Sequence, residues 1–396
     1  MASTEAVDQD GDGDHEVELI VRDASPSPLL DAVISEEIAP LLIQAQTQKP
    51  KINIFTLSYP RTKTREQVTR LPESETSSVT QFILWVWSGS RYSGLLCMAI
   101  SSIIYFLMEL LSDVFSAESI PLYETAFTRC TIITILSYFW LRKSGHSILG
   151  QTHVRKLLVS RALMGYLSLM SYVFCIQRLP LSQAIVLSFT TPIMASIAAR
   201  IILHEKLKIA DIGGLACSFF GVLFIYRQML TTQGGLVKAG EANNTHPSGS
   251  HHIYLVLVGL FSSITGGVSY CLIRAGAKAS DQPVVTVFSF GILASPAAGI
   301  CTFSFEDFVL PGLHSFLLTL VLGVLAFFAE VFLARGLQLE KTSKAANVQY
   351  IEAAMSQLWS IGSLRIAPSF GRLVGCLLIL ISVCYTMYMG PDKEME

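Results

Sequence analysis

Four ionisable side chains sit inside runs of sequence that otherwise read as oil. Glu352 lies in AANVQYIEAAMSQLWSIGSL, residues 345–364, a run long enough to cross a bilayer. Arg129 falls near the middle of a second run, and Glu109 and Glu330 lie well inside two more. A charge at the centre of a bilayer costs about 2.5–3.5 kcal/mol on insertion scales, so such groups face a cavity or a partner rather than lipid. A carboxylate there can carry a proton or hold a cationic group. A guanidinium stays charged and can fork onto a carboxylate or phosphate. One reading places Glu352 and Arg129 on a central water-filled pocket, with Glu330 and Glu109 at its two mouths. The other has Arg129 permanently paired with Glu109 or Glu124 as a staple between helices. Asp113, Glu124, Arg161 and Arg335 lie nearer the ends of their runs, where snorkelling to the interface suffices.

The neighbours of Glu352 extend the pattern. Gln349, Glu352, Ser356 and Ser360 are spaced three, four and four apart, which puts them on one face of a helix. A polar stripe in a membrane helix does not face lipid. It faces a solute or forms a hydrogen-bonded seam with another helix. Tyr350 and Gln357 flank the stripe. A different device is expected at Pro192, which cannot donate to the carbonyl of Ser188, so its helix bends or opens there. The freed carbonyl, the hydroxyls of Thr190 and Thr191, and Gln183 then make a neutral polar site opposite Glu352, unless the kink serves packing alone.

The elements that position these groups are apolar helices. The chain has 396 residues, of which 51% are hydrophobic and only 15% charged. Soluble domains carry about 25% charged residues, so the deficit points to the membrane. Ten stretches reach the roughly 20 apolar residues that a hydrocarbon core demands. They are 92–114, 121–142, 156–177, 180–203, 208–228, 253–275, 282–303, 313–336, 343–363 and 370–390. The expected fold is all-α and integral to the membrane, with ten spans. With both termini in the cytosol, the inside loops carry more Lys and Arg than the outside loops, Arg142, Lys143, Lys206, Lys208, Lys341 and Lys344 among them. Residues 1–90 read as a disordered cytosolic tail, 229–252 as a polar non-cytosolic linker, and 391–396 as a cytosolic tail. The linker holds a glycosylation sequon at Asn243.

Several function classes find no support. The net charge of −2 and the lack of a basic block give nucleic acid no purchase. The eight cysteines all fall in apolar runs, with no CxxC or Cys/His spacing, so neither a metal site nor a disulfide framework is expected. No cofactor motif and no ATP-binding P-loop appear. A membrane-embedded acyltransferase would need a nucleophile beside a base, and the histidines fall at run edges. A non-transporting membrane regulator that docks through its tail remains the other alternative. In that tail Glu37 precedes Leu41 and Leu42 at the spacing of an acidic dileucine signal. If read by a coat adaptor, it directs the chain to a vacuolar or endosomal membrane, or recycles it from the plasma membrane. Gly371 to Gly375, GRLVG, is a small-residue face for bundle packing or a homodimer.

The two halves repeat. With 188–203 laid over 349–364, Phe189 meets Tyr350, Met194 meets Met355 and Leu203 meets Leu364. The same register brings Gly214 to Gly375, and YVFCIQRLPL upstream matches EVFLARGLQL. Five spans per half start the second half on the opposite side. That is an inverted repeat, the plan of an alternating-access transporter. The block RLPLSQAIVLSFTTPIMASIAARIILHEKLKIADIGGLACSFFGVLFIY, Arg178 to Tyr226, and PLYETAFTRC with Arg129 resemble the EamA-type drug/metabolite transporter superfamily, most closely the G subgroup of solute carrier family 35. The resemblance spans 91–228 and 253–390 and implies a carrier of a small-molecule solute. The second half departs from it: Ile366 and Ala367 stand opposite Glu205 and Lys206, Glu352 opposite Thr191, and Ala353 opposite Pro192.

Overall fold

The computed structural model describes residues 85–87, 89, 92–114, 121–145, 150, 152–240, 249–305, 312–363 and 369–390. Glu37, Leu41, Leu42 and Asn243 lie outside the described residues. Within them the chain forms twelve helices. Those of the first half are α1 (Ser93–Val114), α2 (Leu122–Lys143), α3 (Arg155–Arg178), α4 (Leu181–Ser188), α5 (Thr191–Ile202) and α6 (Ile209–Gly240). Those of the second half are α7 (Gly249–Ser280), α8 (Pro283–Phe305), α9 (Leu313–Leu339), α10 (Thr342–Gln349), α11 (Ile351–Ser363) and α12 (Phe370–Met389).

Prolines set several starts. Pro121 and Pro180 precede α2 and α4 with extended ψ values of 139° and 132°, and Pro283 opens α8, where a missing N–H costs nothing. Gly390 ends α12 at φ 65°, a backbone region that side chains with a Cβ avoid.

Among the described residues, eight segments are long and apolar enough to cross a membrane. The ten-span expectation adds α2 and the α10–α11 pair, which fall short on these criteria. Both have the polar residues that lower hydropathy. In α2, Thr125, Thr128, Thr131 and Thr134 each donate to a carbonyl one turn back. These hydroxyls are therefore satisfied within the helix itself. The chain is also helical through much of 229–252, since α6 runs to Gly240 and α7 begins at Gly249.

Two elements are interrupted. The chain between α4 and α5 turns at Phe189 and Thr190, just before Pro192, and the chain between α10 and α11 turns at Tyr350. The second break has no proline and was not expected. It divides the Gln349–Glu352–Ser356–Ser360 stripe between two helices. The two breaks touch: the Tyr350 hydroxyl donates to the Phe189 carbonyl at 2.8 Å, and their rings stack with centroids 6.0 Å apart.

Helix pairing is reciprocal between the halves. α1 packs on α9 as α7 packs on α3; α2 packs on α9 as α8 packs on α3; and α1 meets α11 as α7 meets α5. α2 with α8 and α6 with α12 complete the set. Close approach of α6 to α12 depends on glycine: a Cβ on Gly221 would lie 2.7 Å from the Gly375 carbonyl oxygen. The GRLVG face is thus engaged within the chain. Beside it, buried Asn347 accepts from Ser218 at 2.7 Å and donates to Thr386 at 2.7 Å, tying α10 to α6 and α12.

Candidate functional site

A cavity of about 330 Å³ lies where α1, α2, α3, α7, α8 and α9 meet the two helix breaks. Its charged lining residues are Arg129, Arg161, Glu330 and Glu352. Glu330 is the most heavily bonded. It accepts from Arg161 Nη2 at 3.1 Å and from the Tyr105 hydroxyl at 3.1 Å. The Arg161 side chain is only 3% exposed, its guanidinium lies 4.5 Å from the Phe290 ring centroid, and its Nε has no partner. Arg129 lies over Tyr105 at 5.8 Å. Among the described residues, no carboxylate stands within ion-pair distance of it. Glu352 feels Glu109 and Arg129 as its charged neighbours. Gln349 lines the cavity with a buried Oε1 that has no partner.

The helices bring these groups inward by spacing. In α3, Arg161, Gly165, Ser168 and Tyr172 follow at four, three and four residues, and all line the cavity. In α7, Ser262, Gly266, Ser269 and Ile273 repeat that spacing and also line it. Ser168 and Ser262 donate to each other's carbonyls at 2.9 and 2.8 Å, which clasps α3 to α7. Gly266 lets α7 lie close: a Cβ there would come within 2.8 Å of the Ser168 hydroxyl. Thr191 and Pro192, just past the first break, complete the wall beside Gln349 and Glu352.

Of the residues singled out in the sequence, Glu352, Arg129, Gln349, Glu330, Thr191 and Pro192 meet at this cavity. Four, Tyr350, Ser356, Gln183 and Glu109, are not among its lining residues. Tyr350 is 0% exposed and engaged with Phe189. Ser356 contacts Glu109 Oε1 at 3.4 Å, away from the cavity wall. Gln183 pairs with His252 at 3.1 Å. Glu330, expected at a mouth, lines the cavity bonded to Arg161 and Tyr105. Arg161 needs no snorkelling, because its carboxylate is across the cavity wall. Its place is legible in the Arg-Gly-Ser-Tyr spacing of α3, which has the same helical period as the Glu352 stripe. Tyr105, Tyr172 and Tyr270 also line the cavity; a lone tyrosine in an apolar run gives no comparable signal.

A buried polar knot ties α7, α9 and α10 to the turn between α5 and α6. Glu205, in the turn between α5 and α6, pairs with Arg274 of α7 and accepts from the Thr342 N–H at the start of α10 at 3.1 Å. Arg274 Nη1 also donates to the Leu337 carbonyl of α9 at 2.8 Å. Arg274 follows Ile273, and Leu337 lies one turn beyond Leu333; both Ile273 and Leu333 line the cavity.

Residues 92–227 match the EamA-like transporter family. The mouse protein Solute carrier family 35 member G1 is 23% identical over 65% of this chain and 69% of its own length. The Pseudopaline exporter CntI of Pseudomonas aeruginosa is 27% identical over 73% of this chain and 94% of its own. A solved structure at 17% identity, covering 76% of this chain and 98% of that one, aligns with a TM-score of 0.62, which shows the fold alone. These relatives support a multi-pass membrane transporter.

Proposed function

Proceeding from its resemblance to EamA-type drug/metabolite transporters of the solute carrier 35 G kind, we propose that this chain is a secondary transporter of a small polar organic metabolite. It works by alternating access between two inverted five-helix repeats that together make ten spans. The observation that carries this reading is the cavity itself: four charged side chains gathered at two broken helices. A wetted pocket explains why ionisable groups are tolerated there. Broken helices at a membrane site are where transporters bind cargo, since loosened backbone lines a cavity rather than lipid.

The reciprocal packing of the halves and the contact of Phe189 with Tyr350 support the inverted repeat. The knot at Glu205, Arg274 and Thr342 supports a state closed at that end, and the excess of Lys and Arg in the flanking loops supports assigning that end to the cytosol. Both termini then lie in the cytosol, in a plasma or endosomal/vacuolar membrane. Glu352 links solute movement to a proton. It is the cavity carboxylate that, unlike Glu330, holds no guanidinium in an ion pair among the described residues.

Purified full-length protein in liposomes tests this. The wild type is expected to accumulate a solute from a panel of amino acids, organic acids and nucleotide sugars when a pH gradient is imposed. E352Q is expected to lose that uphill accumulation while keeping solute exchange. No flux of any solute overturns the transporter; unchanged pH-driven accumulation by E352Q overturns the proton link.

A further inference from the structure

We propose that Glu330 is a built-in counter-ion that neutralises Arg161 and so sets the cavity to select solutes of no net charge with a single anionic group. The inference rests on the transporter reading above and adds the charge class of the cargo. The cavity holds two arginines, yet they differ in state. Arg161 is bound by Glu330 at 3.1 Å and is buried. Arg129 lies over the face of Tyr105 and holds no ion pair among the described residues. A carboxylate entering the cavity therefore finds one guanidinium open to it. Glu352 supplies the complementary place for an ammonium group, and the partnerless Gln349 Oε1 accepts a further hydrogen bond. The formal charges of the four lining groups cancel, and a dianion entering this space is met by two carboxylates as well as two guanidiniums. The volume of about 330 Å³ has room for an amino-acid-sized solute.

Glu330 acts through Arg161, so its role is one of positioning and charge. Tyr105 donates to the other carboxylate oxygen at 3.1 Å and holds the carboxylate toward Arg161. Replacement by glutamine keeps the shape and removes the charge. Arg161 would then stand as a second open guanidinium beside Arg129, a geometry for a dicarboxylate or phosphate monoester.

The test compares full-length wild type, E330Q and the double variant R161Q/E330Q. Each is probed by thermal shift and liposome uptake with zwitterionic α-amino acids and with succinate and malate. The wild type is expected to be stabilised by at least one zwitterion and not by the dicarboxylates. E330Q is expected to gain dicarboxylate binding, shifting the ratio of apparent affinities by at least about tenfold. R161Q/E330Q is expected to return to the wild-type ranking, which a merely structural role for Glu330 would not produce. If E330Q ranks the probes as the wild type does, or if the wild type already takes dicarboxylates equally well, the role of Glu330 is overturned while transport stands. If no probe binds any of the three, the charge class assigned here is overturned, while the transporter reading still stands or falls with the flux of the wider panel.

Discussion

Arg129 and Arg161 are the same residue type on consecutive helices, α2 and α3, in different surroundings. Arg129 has its guanidinium over Tyr105 and no ion pair among the described residues, and in the proposed transporter it is the group that holds the solute's anionic end. Hydrogen bonds to charged groups contribute about 1.5–3 kcal/mol. R129Q is therefore expected to weaken solute binding by roughly ten- to hundredfold, read by titration calorimetry, with little change in thermal stability of the unliganded protein. R161Q is expected to do the reverse. It leaves the Glu330 carboxylate buried without its cation, a change that costs about 3–5 kcal/mol in buried pairs and lowers the melting temperature. At this scale the sequence was informative where a charge interrupts an apolar run, as at Arg129, Glu352 and Glu330. It was silent on state. Nothing in the chain near Glu330 says that its partner lies 169 residues earlier, because ion pairing across a bundle is decided by helix packing.

The interrupted helices carry the next level of organisation. Pro192 made the first break legible, since a missing N–H cannot be hidden inside a helix. The second break was not legible: Ala353 stands where a matching proline would be, and the turn at Tyr350 is kept by tertiary contact. Y350F removes the hydroxyl that reaches the Phe189 carbonyl and is expected to cost about 0.5–1.5 kcal/mol in the detergent-solubilised protein. Y350A, which also deletes a fully buried ring stacked on Phe189, is expected to cost about 3–5 kcal/mol. The small residues of α6 and α12 were read in sequence as a packing face without a partner. The structure supplies the partner. A methyl group on Gly221 would press on backbone, which has no rotamer to yield, so G221A is expected to lower the melting temperature by an amount corresponding to about 1–3 kcal/mol.

Across the molecule, the exchange of helix partners between halves means that neither half closes its own core. α1 is finished by α9 and α11, and α7 by α3 and α5. The register of 188–203 over 349–364 paired Phe189 with Tyr350, which do touch, but it gave no sign of the knot at Glu205. The second half lacks the Glu-Lys pair of the first, and Glu205 reaches across to Arg274 and Thr342 instead. If that knot holds one end shut, R274M is expected to expose cavity residues from that side. In a variant whose only cysteine replaces Ser269, a membrane-impermeant thiol reagent applied to that face should react several-fold faster once Arg274 is changed. Unchanged labelling would show that the end is held shut by apolar packing alone.

The C-terminal turn of α9 makes one more attachment. Arg335 Nη2 donates to the Trp87 carbonyl at 2.8 Å, its guanidinium lies 5.2 Å from the Trp87 ring, and its Nη1 reaches Gln338, whose amide holds the Ala277 carbonyl of α7. The polypeptide leading into α1 is thereby moored to the opposite half, a turn away from the Glu205 knot. A change in the path of the chain at Trp87 therefore bears on α9 as well as on α1. R335Q should slacken the line: crosslinking of a cysteine at Trp87 to one at Gln338 is expected to fall.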